Sequence, residues 1–265
     1  MGRTIVKYFR VWKRLTSLSA GSYLSNRIDS LSYLAGKLVR FGFFLLLILA
    51  LFRHTGTVAG YTKYEVILFY LTFNLIDVLA QALFRGIYLF RFDILRGNFD
   101  FVLSKPVNAL FYSLSRLTDL LDTIFLVPIV ALIAYAMAHL PAPPSLSGVL
   151  LYAAFVGMGM LIVLGIHILS ASITIWKRES ENFIWLYRDA MTVGRFPPEI
   201  YAPAVQLLFI FVIPIITIIG FPVKVLLHAL SGTWMLFMLI YTVLFFWCSL
   251  ALWRKALRSY SSASS

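Results

Sequence analysis

Six long apolar runs, separated by shorter polar stretches, dominate the sequence. They cover residues 38–52, 66–84, 117–138, 146–176, 200–219 and 230–253. A helix that crosses the hydrocarbon core of a bilayer needs about 20 mainly apolar residues. Five runs reach that length, and the first does so if it begins near Leu31 and lets Lys37 and Arg40 extend to the interface. Because the runs are continuous rather than alternating, the sequence predicts an all-α polytopic membrane protein with six transmembrane helices.

An amphipathic segment precedes the first run. Its apolar and basic side chains fall on opposite sides of a helix, with Ile5, Tyr8, Phe9, Trp12 and Leu15 on one side and Arg3, Lys7, Arg10 and Arg14 on the other. A helix of this kind lies in the plane of the membrane surface, with its apolar face among the lipids. We therefore expect an N-terminal interfacial amphipathic helix over residues 1–30. A solvated basic tail is the alternative, but it would leave Phe9 and Trp12 exposed.

Three segments outside the runs have a predicted structure. Residues 85–113 mix aromatic and basic side chains, and Gly97 and Pro106 are helix-ending signals, so this loop is expected to contain its own helix. Residues 220–232 are too apolar for a solvated loop and too short to cross, which favours an outer re-entrant or interfacial segment. An outward extension of the last span is the alternative for that segment. Residues 259–265 are expected to form a flexible tail.

The basic residues follow the order of the runs. The chain has 23 basic and 11 acidic residues, a net charge of +12, and the basic residues divide 20 to 3 between alternate segments. The positive-inside rule then places both termini in the cytoplasm and makes residues 1–265 one transmembrane domain. Because this distribution is explained by topology, we expect membrane lipids rather than nucleic acid as the partner of the basic residues. The single cysteine, Cys248, lies in the last run, so no disulfide within the chain is expected.

A carboxylate inside the second run is the sharpest candidate site. Asp77 has Asn74 and Gln81 on the same helix face, at i−3 and i+4. An ionised group in a membrane needs a partner, and the candidates near the cytoplasmic end of the runs are Arg85, Arg116, Asp119 and Asp122. We expect these side chains to form an intramembrane polar cluster. The cluster is either a structural pairing network or a substrate or proton site.

The motifs of common catalytic sites are missing from the sequence. It has no G-x-x-x-x-G-K-[ST] phosphate loop, no G-x-S-x-G elbow and no H-E-x-x-H helix. Its four histidines are scattered without the spacing of metal ligands. We therefore expect no catalytic residue, metal site or cofactor in this chain, and any ATP must be bound by another protein.

Three short motifs point to a family. The first motif follows the second run and has the form G-x-x-D-x-x-L-x-[RK]-P. The second lies before the fifth run and consists of R-F-P followed by I-Y. The third comes after the second motif and consists of two separate prolines followed by a Leu-Leu pair. The positions are Gly97, Asp100, Leu103, Lys105 and Pro106; then Arg195, Phe196, Pro197, Ile200 and Tyr201; and then Pro214, Pro222, Leu226 and Leu227. With six runs and an amphipathic N-terminus, the chain resembles the permease subunits of bacterial ABC transporters of the second, exporter-like membrane family.

This resemblance implies a function and a set of partners. The chain would be a permease in the bacterial cytoplasmic membrane that works with a second permease subunit, identical or different, and with separate ATPase subunits that bind ATP and Mg²⁺. Transport would export a hydrophobic or amphipathic compound by alternating access. The first cytoplasmic loop would carry the coupling helix that contacts the ATPase, and the residues placed there are Arg96, Gly97, Asp100, Leu103, Lys105 and Pro106.

Two other functions stay open from the sequence. A proton-coupled secondary transporter would use Asp77, Asp119 and Asp122, although the two halves of the chain show no internal repeat. A membrane-embedded envelope-assembly factor is the second alternative, although the sequence lacks clustered nucleophiles or metal ligands. Transport driven by a pH gradient without nucleotide would favour the secondary transporter.

Overall fold

The chain is mainly helical in the part that the structure describes. The computed structural model describes residues 2–177 and 181–261, is 81% helical and has no strand in those ranges. Five helices there are long and apolar enough to cross a bilayer. The predicted all-α polytopic fold is thereby confirmed. Residues 262–265, the end of the predicted flexible tail, lie outside the described residues.

The helices follow one another in this order. The N-terminal half contains Gly2–Ser25 (α1), Arg27–Leu51 (α2), Lys63–Phe84 (α3), Ile87–Leu95 (α4), Asn98–Leu103 (α5) and Ala109–Ser115 (α6). Leu120–Ile124 (α7) and Leu126–Ala138 (α8) together form one membrane-length element. The C-terminal half contains Leu146–Trp176 (α9), Glu181–Ala190 (α10), the 3₁₀ turns Met191–Arg195 and Pro198–Ile200, Pro203–Val212 (α11), Ile216–Leu226 (α12) and Gly232–Arg258 (α13).

Side-chain caps fix where several helices begin. The backbone N–H of Thr62 donates to the Glu65 carboxylate at 2.7 Å, which closes a capping box at the start of α3. The hydroxyl of Ser145 accepts from the backbone N–H of Gly148 at 3.2 Å at the start of α9. These polar groups satisfy N–H groups that the helix leaves without partners, so each helix starts at a defined residue.

Contacts between the loops distinguish two ends of the bundle. Trp176, at the end of α9, donates from Nε1 to the hydroxyl of Ser259 at 2.9 Å, just after α13. We call this the terminal end. At the opposite, far end, the ring of Tyr64 at the start of α3 lies 5.1 Å from the ring of His139, which follows α8.

α1 is attached to the terminal end. Its Thr16 hydroxyl lies 3.1 Å from that of Thr118, and its Tyr8 ring packs edge-on against Phe111 of α6 at 4.8 Å. Phe9 stays 59% exposed. α1 ends at Ser25, so residues 27–30 of the predicted interfacial helix belong to α2 instead.

Residues 185–199 follow α3 along its whole length. Trp185 packs against Tyr88, just after α3, with ring centroids 5.0 Å apart. Glu199 accepts a hydrogen bond at 3.2 Å from the hydroxyl of Tyr61, just before α3. The chain therefore passes from the terminal end to the far end through a short helix and 3₁₀ turns rather than through a regular membrane helix.

This path corrects the expected topology of residues 177–199. The charge pattern predicts that they all lie in the cytoplasm, but Glu199 is at the far end and Arg195 lies beside Phe73, in the middle of α3. Of the basic residues in this segment, Arg188 and Arg195 line a cavity inside the bundle. Arg195 is tolerated there because two aromatic faces and a cavity surround it, as described below.

The prediction that residues 200–219 form one continuous span is wrong. The helix breaks at residues 213–215, and α11 and α12 meet at 86°. Pro214, which has no N–H to donate, lies at the break. Lys224, near the end of α12, forms an ion pair with Glu199, which precedes α11. Both arms are therefore anchored at the far end, and the pair forms a re-entrant hairpin.

Residues 220–232 comprise the end of α12 and the turn that follows it. Residues 220–226 complete α12, and residues 227–231 form the turn before α13. α12 packs tightly on α9, because a Cβ atom at Gly159 would lie 2.8 Å from the carbonyl oxygen of Ile218. The absence of a side chain at Gly159 is what permits this approach of two backbones.

Candidate functional site

A cavity of about 580 Å³ lies between α2, α3 and residues 185–195. Ser32 and Trp185 line it near the terminal end, and Phe44 and Tyr70 line it near the middle of the membrane-length helices. Its wall carries basic and acidic side chains: Lys37, Arg40, Arg85, Arg188 and Arg195, and Asp77 and Asp189. Charged side chains at this depth of a membrane protein are expected only where they face a cavity or one another.

Two buried carboxylates neutralise two of these cations. Asp119 contacts Arg85, and Asp122 contacts Lys37 with 2.5 Å between Nζ and Oδ1. Both aspartates are fully buried. The hydroxyl of Tyr33 lies 3.2 Å from Asp119 Oδ2 and 3.0 Å from Asp122 Oδ1, so it joins the two pairs. Lys37 therefore reaches into the bundle rather than to the membrane interface.

The start of α7 explains why both aspartates face inward. The carboxylate of Asp119 accepts from the backbone N–H of Asp122 at 3.0 Å and caps the helix. The backbone N–H of Asp119 in turn donates to the carbonyl oxygen of Gln81 at 3.3 Å, which fixes α7 against the end of α3. The spacing of the two aspartates is thus set by one helical turn.

The other residues of the predicted cluster take different positions. The side-chain amide of Asn74 donates to the carbonyl oxygen of Tyr70, one turn back on α3, at 2.7 Å. The side chain of Gln81 lies 3.3 Å from both the Tyr88 hydroxyl and Arg85 Nη1. Gln81 therefore belongs with the buried pairs, whereas Asn74 is bound to its own helix.

Asp77 lines the cavity without a direct partner. None of the described residues donates a hydrogen bond to its carboxylate or lies within 4.0 Å as a cation. Among basic side chains, Arg188 and Lys37 interact with it most strongly through space. The structure therefore separates Asp77, which faces open space, from Asp119 and Asp122, which are paired.

Arg116 pairs with a residue outside the expected cluster. Its guanidinium contacts the carboxylate of Asp93, which is only 4% exposed. No local pattern in the sequence predicts this pair, because Arg116 follows α6, 23 positions after Asp93 of α4. Their contact fixes α4 to the chain just after α6.

Two arginines of the cavity were not expected there from the sequence. Arg195 lies between two aromatic faces, 5.0 Å from the ring centroid of Phe44 and 4.9 Å from that of Phe73. Arg188 lies 5.8 Å from the ring of Trp185. Cation–π contacts of this kind stabilise a guanidinium but do not cancel its charge.

Tyr61, Glu199 and Lys224 hold the hairpin against α3 at the far end. Burial and the adjacent carboxylate of Glu199 raise the pKa of Tyr61, so its hydroxyl keeps its proton and remains a donor at neutral pH. Lys224 binds the same carboxylate. One acidic side chain thus connects the start of α3 to α12.

The predicted coupling residues lie on two short helices at the terminal end. Gly97 separates α4 from α5 and has a φ of +70°, which favours glycine. Asp100 accepts a hydrogen bond from the Tyr260 hydroxyl at 3.0 Å. Lys105 donates to the Tyr112 hydroxyl at 3.0 Å, and Pro106 accepts from Lys7. Asp100 therefore fixes the loop to the C-terminal segment.

The outer side of these helices is apolar and exposed. We call it the loop face, and it consists of Phe92, Leu95, Phe101 and Leu103, of which Phe101 is 69% exposed; Arg96, also exposed, lies beside it. The inner side is buried, because Phe90 and Phe99 pack on the indole of Trp253 with centroids 6.0 and 6.4 Å away. The loop face is thus held rigidly on α13.

Comparison with known proteins gives one result. The family model described as ABC-2 family transporter protein matches residues 38–264. No curated protein and no solved structure matches the chain. The match covers all the membrane-length helices except the start of α2.

Proposed function

The chain belongs to the ABC-2 family of transporter proteins, and from that membership we propose that it is the membrane-spanning permease subunit of an ATP-driven transporter. ATP and Mg²⁺ are bound by a separate ATPase subunit, and a second permease subunit completes the membrane part. The observation that carries the proposal is the loop face at the terminal end. Both termini and this face lie on the cytoplasmic side in the proposed orientation.

The chemistry of the loop face fits a protein partner better than water. Phe101 and Leu103 are large, exposed apolar side chains outside the membrane-length helices, and the exposed guanidinium of Arg96 lies 5.7 Å from the ring of Phe92. Aromatic side chains and arginines are enriched at the centre of protein interfaces. An ATPase subunit that covers this face would remove Phe101 from water.

The attachment of the loop face supports a mechanical role. Gly86, before α4, is so close to α6 that an added Cβ atom would overlap the carbonyl oxygen of Ser113. Phe90 and Phe99 connect the same loop to Trp253 of α13. A short helix packed on membrane helices transmits a movement of the ATPase, whereas a flexible tether would dissipate it.

The cavity supports a route for an amphipathic compound. It extends from Trp185 at the terminal end to Phe44 and Tyr70 in the middle, and it combines aromatic with charged walls. In the proposed mechanism the compound enters from the cytoplasmic side and leaves at the far end when the permease dimer changes conformation. Export by alternating access is therefore the transport direction that we propose.

The secondary-transporter alternative has weaker support. It requires carboxylates that exchange protons, but Asp119 and Asp122 are each bound to a cation and to Tyr33. Asp77 is the remaining candidate, and it lines the same cavity. A pH gradient across liposomes that contain the permease alone should therefore drive no substrate movement.

Co-purification tests the proposed function. The tagged permease is co-expressed with a candidate ABC ATPase subunit, and the ATPase retained on the membrane subunit is measured. Phe101→Ala should reduce retention about tenfold or more, because it truncates the centre of the loop face. Phe43→Ala is the matched control, since Phe43 is also 69% exposed but lies on α2. Equal retention by all three proteins would contradict the proposed docking.

A further inference from the structure

We propose that the cavity binds the anionic head group of an amphiphile, with the guanidinium groups of Arg40, Arg188 and Arg195 around the head group. This deepens the proposed transport function, because it identifies the class of compound that the permease would carry. Nothing in the resemblance or in the family match specifies the charge of the substrate. The inference rests on the charges, walls and position of the cavity.

The charge balance of the cavity favours an anion. Of its five basic side chains, Lys37 and Arg85 are bound to Asp122 and Asp119. The remaining arginines, three in number, face Asp77 and Asp189. The wall therefore keeps an excess of one positive charge when the cavity is empty, and a single phosphate or carboxylate would neutralise it.

The guanidinium groups of Arg40, Arg188 and Arg195 have N–H donors that no carboxylate of the described residues accepts from. Among the described residues, no carboxylate lies within 4.0 Å of Arg40, Arg188 or Arg195. Arg195 Nε is buried and has no hydrogen-bond partner in that part of the chain. A buried donor without an acceptor costs free energy, so an oxygen of a ligand that accepted from Arg195 would be stabilising.

The acidic side chains do not occupy those donors. Asp77 interacts with Arg188 and Arg40 only across the cavity, and Asp189 is exposed on α10. Arg40 and Arg195 also repel one another electrostatically, as like charges at this depth must. An anion between them would relieve this repulsion.

The remaining wall fits an apolar chain. Phe41, Phe44, Tyr70 and Phe73 line the inner part of the cavity, and the rings of Phe44 and Tyr70 stack at 4.8 Å. A ligand in the cavity would therefore have aromatic surface beside its chain and guanidinium groups beside its head group.

Three soluble probes separate the contributions of head group and chain. Dihexanoyl phosphatidate has the anion and two chains, dihexanoyl phosphatidylcholine has the same chains with a zwitterionic head group, and glycerol phosphate has the anion alone. Each is titrated calorimetrically into the purified full-length permease in a non-ionic detergent. We expect phosphatidate to bind about tenfold or more tightly than either of the others.

Equal affinity for phosphatidylcholine would overturn the role of the charge. Equal affinity for glycerol phosphate would overturn the role of the chain and leave a simple phosphate site. Because the titration uses neither ATPase nor ATP, its result does not depend on the proposed docking. If phosphatidate binds but no ATPase partner is found, the proposed head-group site is supported and the proposed ATPase docking is not. If an ATPase partner is found but phosphatidate does not bind, the head-group site is overturned and the docking is not.

Substitutions locate the binding. Arg195→Gln should weaken phosphatidate binding about tenfold and leave the affinity for phosphatidylcholine unchanged. Arg195→Lys keeps the charge and should recover part of the loss, and Arg254→Gln, an exposed arginine outside the cavity, should have no effect. If Arg195→Gln does not fold, Arg40→Gln replaces it. Unchanged phosphatidate binding in the folded variant would contradict the proposal.

Discussion

The hydroxyl of Tyr61 donates a hydrogen bond to the carboxylate of Glu199 at 3.2 Å, although the two residues are 138 positions apart. Tyr61 precedes α3 at the far end, and Trp185 contacts Tyr88 of α4, which follows the other end of α3. The segment between Trp185 and Glu199 must therefore cover the length of α3, about 33 Å. This segment therefore runs beside α3 from the terminal end of the bundle to the far end.

Cysteine labelling tests this path. Cys248, which is exposed, is first replaced by serine, and single cysteines are then introduced as Ile200→Cys and Ser104→Cys. Ile200 is 42% exposed at the far end, and Ser104 is exposed after α5 at the terminal end. An impermeant maleimide should label the first in intact cells and the second only in opened membranes. Labelling of both from the same side would contradict this path.

The regular helices were predictable from the sequence because their apolar runs are long and uninterrupted. The run at residues 146–176 coincides with α9, which begins at the Ser145 cap and ends at Trp176. The prediction of one continuous span over the fifth run is wrong because an apolar run of 20 residues does not show whether it forms one helix or two. Pro214 and the Lys224–Glu199 pair make it a hairpin, and that pair joins distant parts of the chain.

The candidate site was predictable only in part. Asp77, Asp119 and Asp122 are conspicuous because carboxylates are rare in apolar runs, and all three lie at or beside the cavity. The sequence predicts a cytoplasmic position for Arg195, because a basic residue between two apolar runs is normally cytoplasmic. Its place between Phe44 and Phe73 depends on tertiary packing that no local pattern encodes.

The buried pair of Lys37 and Asp122 should be strongly coupled. Removal of one partner leaves a charge with no counter-ion, so Lys37→Met or Asp122→Asn alone should lower the free energy of unfolding by about 3 kcal/mol. The double variant should lose less than the sum of the two, because it buries no unpaired charge. Thermal unfolding of the four proteins in detergent measures the coupling, and additive losses would show that the pair contributes nothing.

Two glycines of α9 should respond oppositely to alanine. A Cβ atom at Gly159 would lie 2.8 Å from the carbonyl oxygen of Ile218, so Gly159→Ala should destabilise the protein by about 1–3 kcal/mol. Gly157, half a turn away, has no atom within 4 Å of its added Cβ. Gly157→Ala should therefore be neutral or stabilising, by up to about 1 kcal/mol. Equal melting temperatures of the two variants would argue against the contact between α9 and α12.

The loop at the terminal end contains two residues with separable roles. Arg96 is exposed beside the loop face, whereas Asp100 is bound to the Tyr260 hydroxyl at 3.0 Å. Arg96→Ala should lower ATPase retention about tenfold and leave the melting temperature unchanged, because it removes no internal contact of the described structure except one with the Phe92 ring.

Asp100→Ala should lower both the melting temperature and ATPase retention, because it detaches the loop from the C-terminal segment. Tyr260→Phe removes only the hydroxyl that donates to Asp100, and it should reproduce the loss in melting temperature, by about 1 kcal/mol of stability, while the phenyl ring keeps its packing on Phe99. Melting curves and retention measured on the same preparations distinguish the two roles. If Tyr260→Phe has no effect while Asp100→Ala abolishes retention, Asp100 contacts the ATPase directly and is not the residue that positions the loop.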